Sequence, residues 1–294
     1  MKKYTADMGL LLVGILWGLG FVFVKVGLNG GVSPFYLLTI RFLGGFAILY
    51  IIFRKSFSRF TKEDVKAGVI LGTLQFLGYT FQTYGALMTT AGKNAFFTAI
   101  NVIIVPYIFW IIHRRRPDIF AFSASLICLF GVGIMSIDRN FNLTNLNNGD
   151  ILTIICAFFF AGQISLTGYF SRKVEPMKLI LMQMLVAGIF FGLNLFNPAE
   201  FRQIEPLNGM AFVSVVYLTV FSTAIPTVLQ TYCQRATTST RASILLATES
   251  LFAPIFAFFI LSEVLSKRTF VGAALILLAV IVSETKLGLK KIED

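Results

Sequence analysis

Ten apolar runs, each about as long as the roughly 17–25 residues a helix needs to cross a hydrocarbon core, dominate this chain. They cover 8–27, 34–53, 65–87, 94–112, 118–136, 151–170, 177–196, 208–232, 242–261 and 269–285. Lipid offers no partners to backbone N–H and C=O groups, so runs of this length read as helices that satisfy their own. Charged residues make up 13% of the 294 and hydrophobic residues 56%, whereas soluble domains carry roughly 25% charge. A water-facing surface cannot be built from that balance. The expected fold is an all-α membrane protein. Lys2 and Lys3 before the first run mimic a signal peptide, but the run is too long and no cleavage pattern follows it, so it is expected to stay in place.

The net charge of +11 comes from 25 Lys and Arg against 14 Asp and Glu. With the N-terminus placed inside, eighteen basic residues fall in inner segments, and only Lys93, Arg139, Arg202, Lys267 and Arg268 in outer ones. That bias predicts cytoplasmic termini and an inner membrane location. It also removes nucleic acid as a partner, because attraction to anionic lipid accounts for the spread of charge. Cys128, Cys156 and Cys233 sit singly in apolar runs and read as packing residues. One histidine, His113, and no Cys/His cluster give a metal site no support. No GxxxxGK[ST] occurs, so no P-loop nucleotide site or other cofactor is expected. Pairs of small residues at Gly14/Gly18, Gly68/Gly72 and Gly188/Gly192 predict close helix crossings.

The Asn-rich stretch 138–150 separates residues 1–137 from 151–294, five runs on each side. A shift of 148 residues lays 82–112 on 230–260 without a gap. Gln82-Thr83-Tyr84 meets Gln230-Thr231-Tyr232, Thr89-Thr90 meets Thr237-Thr238, and Pro106 meets Pro254. Pro34 and Pro176 each open a run, with Arg41 and Gln183 each seven residues on. Five is odd, so the second half enters the membrane from the opposite side. Ten transmembrane helices from two inverted five-helix repeats are expected, an arrangement suited to secondary transport.

Several features resemble an EamA-type member of the drug/metabolite transporter superfamily. They are Trp17-Gly18 with Lys25 in the first run, Arg41 in the second, and Tyr84-Gly85-Ala86-Leu87 leading to Thr89-Thr90. Leu261-Ser262-Glu263 through Gly272-Ala273-Ala274-Leu275-Ile276-Leu277 closes the pattern. The resemblance covers nearly the whole chain and implies ten helices and transport. Two positions depart from it: the repeat shift puts Arg115 opposite Glu263, and Ser250 rather than a proline follows Glu249.

Charge at membrane depth costs at least about 2.5–3.5 kcal/mol, so Glu249 and Arg41 ask for a reason. Glu249 is a candidate proton acceptor or counter-ion to a substrate amine, and its repeat counterpart Asn101 is placed at similar depth to line one central cavity. Arg41 offers a planar fork to a carboxylate, while Lys25 can snorkel to the boundary. Gln82, Gln230, Gln183 and Gln163 suit interhelical hydrogen bonds, and Gln82 and Gln230 are also candidates for contact with a solute. Trp17, Tyr79, Tyr84 and Tyr232 are candidate aromatic walls that stack on a substrate. Pro106, Pro226 and Pro254, with Gly78 opposite Pro226, mark weak points in helices where the route bends.

These residues support a secondary active transporter that exports small amphipathic metabolites, amino acids or amines foremost, by alternating access. Its partners are a small-molecule substrate, the lipid bilayer and protons, and a monomer is expected, with a dimer as the alternative. Uptake or facilitated exchange of the same solutes is the second reading, and a structural or receptor-like membrane protein the third. The chain is not expected to be an enzyme, since no catalytic spacing is present.

Overall fold

The computed structural model describes residues 3–55, 59–114, 119–136, 146–197 and 209–285. Most of the Asn-rich stretch, and Arg115 with it, lies outside the described residues. Among the described residues all regular structure is helical. The first three crossings are α1 (Lys3–Asn29), α2 (Pro34–Phe53) and α3 (Lys62–Met88). The fourth is split into α4 (Ala91–Thr98) and α5 (Asn101–His113), and the fifth is α6 (Ile119–Ser136). The second half runs through α7 (Asn148–Phe170) and α8 (Pro176–Asn194). Its third crossing is α9 (Gly209–Thr219), a π-helical segment Val220–Ala224 and α10 (Ile225–Gln234). The fourth is again split, into α11 (Ser239–Leu246) and α12 (Glu249–Leu261), and α13 (Lys267–Thr285) closes the set. Among the described residues, seven of the ten crossings are apolar and long enough to span a membrane by length and composition alone. The crossing made by α3 is less apolar because Gln75, Gln82 and Thr83 are buried in it.

Local chemistry sets the helix ends. Thr61 and Asp64 form a reciprocal cap that starts α3 three residues before the apolar run, and Asn147 and Asp150 do the same for α7. Each pair satisfies two N–H groups that the first turn would leave orphaned. Pro34 and Pro176 occupy first-turn positions of α2 and α8, where a missing N–H costs nothing.

The repeat shift holds at the level of single residues in the split crossings. Adding 148 carries Ala91–Thr98 onto Ser239–Leu246 and Asn101–His113 onto Glu249–Leu261. Thr90 and Thr238 cap the two short helices through the N–H groups of Lys93 and Arg241. Arg114 and Ser262 end the two long ones in the left-handed conformation, at φ 54° and 56°. At the splits the backbone tightens to three-residue hydrogen bonds, Val102 N–H to Ala99 at 3.0 Å and Ser250 N–H to Ala247 at 3.0 Å. Side chains take up nearby carbonyls: Asn101 Nδ2 donates to Thr98 at 2.9 Å, and Thr248 Oγ1 to Leu245 at 2.7 Å. Such local bonds compete with a continuous helix.

Packing follows the same symmetry. Phe42, Tyr79, Phe160, Met184 and Phe191 form the largest buried cluster, between α2, α3, α7 and α8. A second cluster joins Phe96 and Val102 to Cys128, Ile244 and Ile276, so α6 and α13 clasp both split crossings. Close approach needs glycine at several crossings. A Cβ on Gly18 would lie 2.7 Å from that of Phe252, and one on Gly72 2.7 Å from that of Val186. Gly14, Gly68 and Gly188 are equally crowded. Gly192 differs from expectation, since its nearest neighbour, Thr39 Cγ2, would be at 3.7 Å, ordinary contact.

Candidate functional site

Both halves contribute to one cavity inside the bundle. Its walls are Trp17, Phe21 and Val24 from α1, Arg41 from α2, and Gln75, Tyr79 and Gln82 from α3. Asn94 and Thr98 come from α4, Asn101 from α5, and Phe160, Gln163 and Ile164 from α7. Ser222, Gln230, Leu246 and Glu249 complete it from the second half. Asn101 and Glu249 are the first residues of α5 and α12, so both splits open onto this space.

Arg41 is 3% exposed and meets no carboxylate among the described residues; its partners there are neutral. Nε donates to Thr223 Oγ1, and Nη2 donates to the Ser222 carbonyl and hydroxyl, both at 3.1 Å, and to Tyr79 OH at 3.4 Å. The guanidinium carbon also stands 4.4 Å from the Tyr79 ring centroid, within range of a cation–π attraction. Pro226 explains why a main-chain acceptor is free here. It has no N–H to give the carbonyl of Ser222, four residues earlier, and that oxygen takes Trp17 Nε1 at 3.0 Å as well as Arg41. The π-helical segment before Pro226 turns Ser222 and Thr223 toward the cation.

Glu249 is 5% exposed, and its carboxyl forms no ion pair and no side-chain hydrogen bond among the described residues. One cavity therefore holds a buried cation solvated by hydroxyls, carbonyl and ring faces, and a separate acid unpaired among the described residues. A buried charge left unpaired is among the costlier features a fold can keep. Around these two groups the lining is amide and aromatic. Gln82 Nε2 donates to Thr98 Oγ1 at 3.2 Å, and Gln230 Nε2 to Gln163 Oε1 at 3.4 Å. Asn94 and Asn101 spend their amide nitrogens on protein oxygens and leave Oδ1 without a partner.

Of the nine residues marked in the sequence, seven line the cavity: Trp17, Arg41, Tyr79, Gln82, Asn101, Gln230 and Glu249. Tyr84 and Tyr232 do not. Tyr84 packs edge-on against Phe35, with centroids 5.5 Å apart, and Tyr232 is 40% exposed. Each follows a cavity glutamine by two residues, which turns a helix by roughly 200° and sends the ring to the opposite side. Gln183 is buried away from the cavity, with neither amide atom bonded. Gly78 lies under the Phe160 ring, where a Cβ would be 2.9 Å from Cε1. Pro106 and Pro254 are buried inside α5 and α12, while the backbone breaks come earlier, at 99–100 and 247–248. Gln75, Asn94, Thr98, Phe160 and Ser222 were not singled out by sequence. The stripe Asn94, Thr98, Asn101, spaced four and three along an apolar run, was the available signal.

Comparison with known proteins agrees with this architecture. The sequence profile of the EamA-like transporter family matches twice, over residues 5–137 and 147–285. A protein of Archaeoglobus fulgidus named as an uncharacterized transporter is 33% identical over 283 residues, 96% of this chain and 86% of that one. A second A. fulgidus protein with the same description is 24% identical, covering 94% and 96% of the two chains. The uncharacterized transporter YoaV of Bacillus subtilis is 27% identical over 144 residues, 45% of this chain and 48% of that one. A solved crystal structure superposes with a TM-score of 0.78 at 14% identity, covering 97% of this chain and 98% of the other, which speaks for the fold. With its two profile matches spanning most of its length, the chain belongs to the EamA-like transporter family.

Proposed function

We propose that this protein is a secondary active transporter that exports small amphipathic metabolites, amino acids or amines foremost, by alternating access. The observation that carries the reading is Arg41 and Glu249 in one cavity, neither ion-paired among the described residues, on surfaces from opposite halves. Arg41 Nη1 makes no hydrogen bond among the described residues and suits a carboxylate. The carboxyl of Glu249 suits an ammonium group or a proton. Trp17, Phe21, Tyr79 and Phe160 supply the apolar wall that an amphipathic solute needs. Flux into proteoliposomes, screened with amino acids and amines, tests this. Movement of at least one such solute without added nucleotide is expected. No flux for any member of the panel, or flux only with nucleotide, would overturn it.

The same reading puts the termini in the cytoplasm, the protein in the inner membrane and Leu146 outside, as the bias of basic residues supports. Leu146 is 43% exposed just before α7, and the three native cysteines are buried. Leu146→Cys should therefore react with an impermeant thiol reagent added to intact cells. Labelling only after permeabilisation would reverse the orientation.

A further inference from the structure

The two short half-helices cannot hold themselves in place. An eight-residue helix is far below the length at which helices persist alone, and its first turn carries N–H groups that need outside partners. Both α4 and α11 also contribute to the cavity wall. Asn94 and Thr98 of α4 and Leu246 of α11 line the cavity, while the first turns of the two helices lie by opposite ends of α1, near Lys25 and Asp7.

Each is tied by an acid from the other half of the chain. Ser262, with φ 56°, turns the backbone after α12, and Glu263 N–H closes onto the Ala257 carbonyl at 3.2 Å. The Glu263 side chain then reaches α4: Oε1 accepts Ala91 N–H at 2.9 Å and Oε2 accepts Gly92 N–H at 3.3 Å. An anion at a helix N-terminus is favoured by the helix dipole as well. At the opposite end Asp7 of α1 accepts from Arg241 Nη2 of α11 at 2.8 Å, with both side chains about nine-tenths buried. Beside each tie a cation closes the neighbouring helix end. Lys25 Nζ donates to the carbonyls of Ala86 at 2.7 Å and Thr89 at 2.9 Å, and Arg172 Nη2 to that of Thr237 at 2.7 Å. Thr89 and Thr237 are repeat counterparts, and Arg172 neighbours Lys173, the counterpart of Lys25. The two ends thus use one plan with different chemistry. At one end a carboxylate holds backbone N–H groups, and at the other a carboxylate holds a guanidinium.

We propose that Glu263 and Asp7 are gate-positioning residues, each holding one half-helix shut over its end of the cavity, so that their balance sets the end to which the empty protein opens. The proposal rests on the alternating-access reading, but its test uses no substrate. Ile164 lines the cavity, and Ile164→Cys, in a chain whose three native cysteines are replaced by alanine, gives a reporter there. Its rate of modification by an impermeant thiol reagent is measured from each side of sealed vesicles. Glu263→Gln is expected to raise the rate at least about fivefold from the Lys25 end and lower it from the Asp7 end. Asp7→Asn is expected to do the reverse, and Arg241→Gln to match Asp7→Asn, which guards against a variant that fails to fold. Rates within twofold of the parent for all three variants would overturn the proposal. So would a rise from both sides together, the mark of a helix cap that merely stiffens the bundle. If opposite shifts appear while no solute is carried in the flux screen, the gates stand and the transport reading falls.

Discussion

Glu249→Gln is expected to abolish accumulation driven by a pH gradient while the protein folds normally. The carboxyl is buried at the first residue of α12 and forms no ion pair among the described residues. The amide keeps the shape of the carboxyl and cannot ionise in a buried site, so thermal stability should be unchanged or higher. Transport reads the side chain differently. A glutamine cannot release a proton, so coupling to protons is lost at every pH. If the group holds a substrate amine directly, affinity for amines and zwitterions should also drop by roughly 30- to 150-fold, the equivalent of about 2–3 kcal/mol for a charged partner. If it carries only the proton, binding and exchange should survive. Wild-type accumulation, affinity and pH dependence in the variant would leave Glu249 without a transport role.

Arg41→Gln should act on the other end of the solute. Removing the guanidinium takes away the group that Thr223, Ser222 and Tyr79 hold in place. Solutes bearing a carboxylate should lose roughly 10- to 100-fold in affinity, as expected for one charge-assisted contact, while simple amines change little. Arg41→Lys should not rescue, because an ammonium lacks the planar fork that spans the Ser222 carbonyl, the Tyr79 face and a ligand together. Equal losses for amines and carboxylates would mean that Arg41 only locks α2 against the π-helical segment.

The fold was legible because lipid leaves so few choices. Run length placed α2 at its residue boundaries, and the repeat shift of 148 carried α4 and α5 onto α11 and α12 residue for residue. Hydropathy did not reveal the splits at 99–100 and 247–248, because Ala99 and Ala247 are strong helix formers and the prolines nearby draw attention to the wrong turn. The breaks come from polar side chains at Asn101, Thr248 and Ser250 that bond to local carbonyls. Cost at membrane depth pointed to Arg41 and Glu249, and both line the cavity. Residue type alone points to Tyr84 and Tyr232, but helical phase carries both away from the cavity. The ties of Glu263 and Asp7 between the two halves join residues more than 170 positions apart in the chain, and nothing in either local sequence announces them.

Counterflow in proteoliposomes tests most directly the central claim that one cavity serves both sides in turn. Vesicles are loaded with unlabelled solute chosen from the flux screen, diluted, and given a trace of the labelled solute outside, with no nucleotide and no pH gradient. Alternating access predicts a transient overshoot of label inside above its equilibrium level, because each outward trip of unlabelled solute returns the same site to the outside. A smooth rise to equilibrium, unaffected by the internal load, would mean a continuous path through the bundle and would contradict the account.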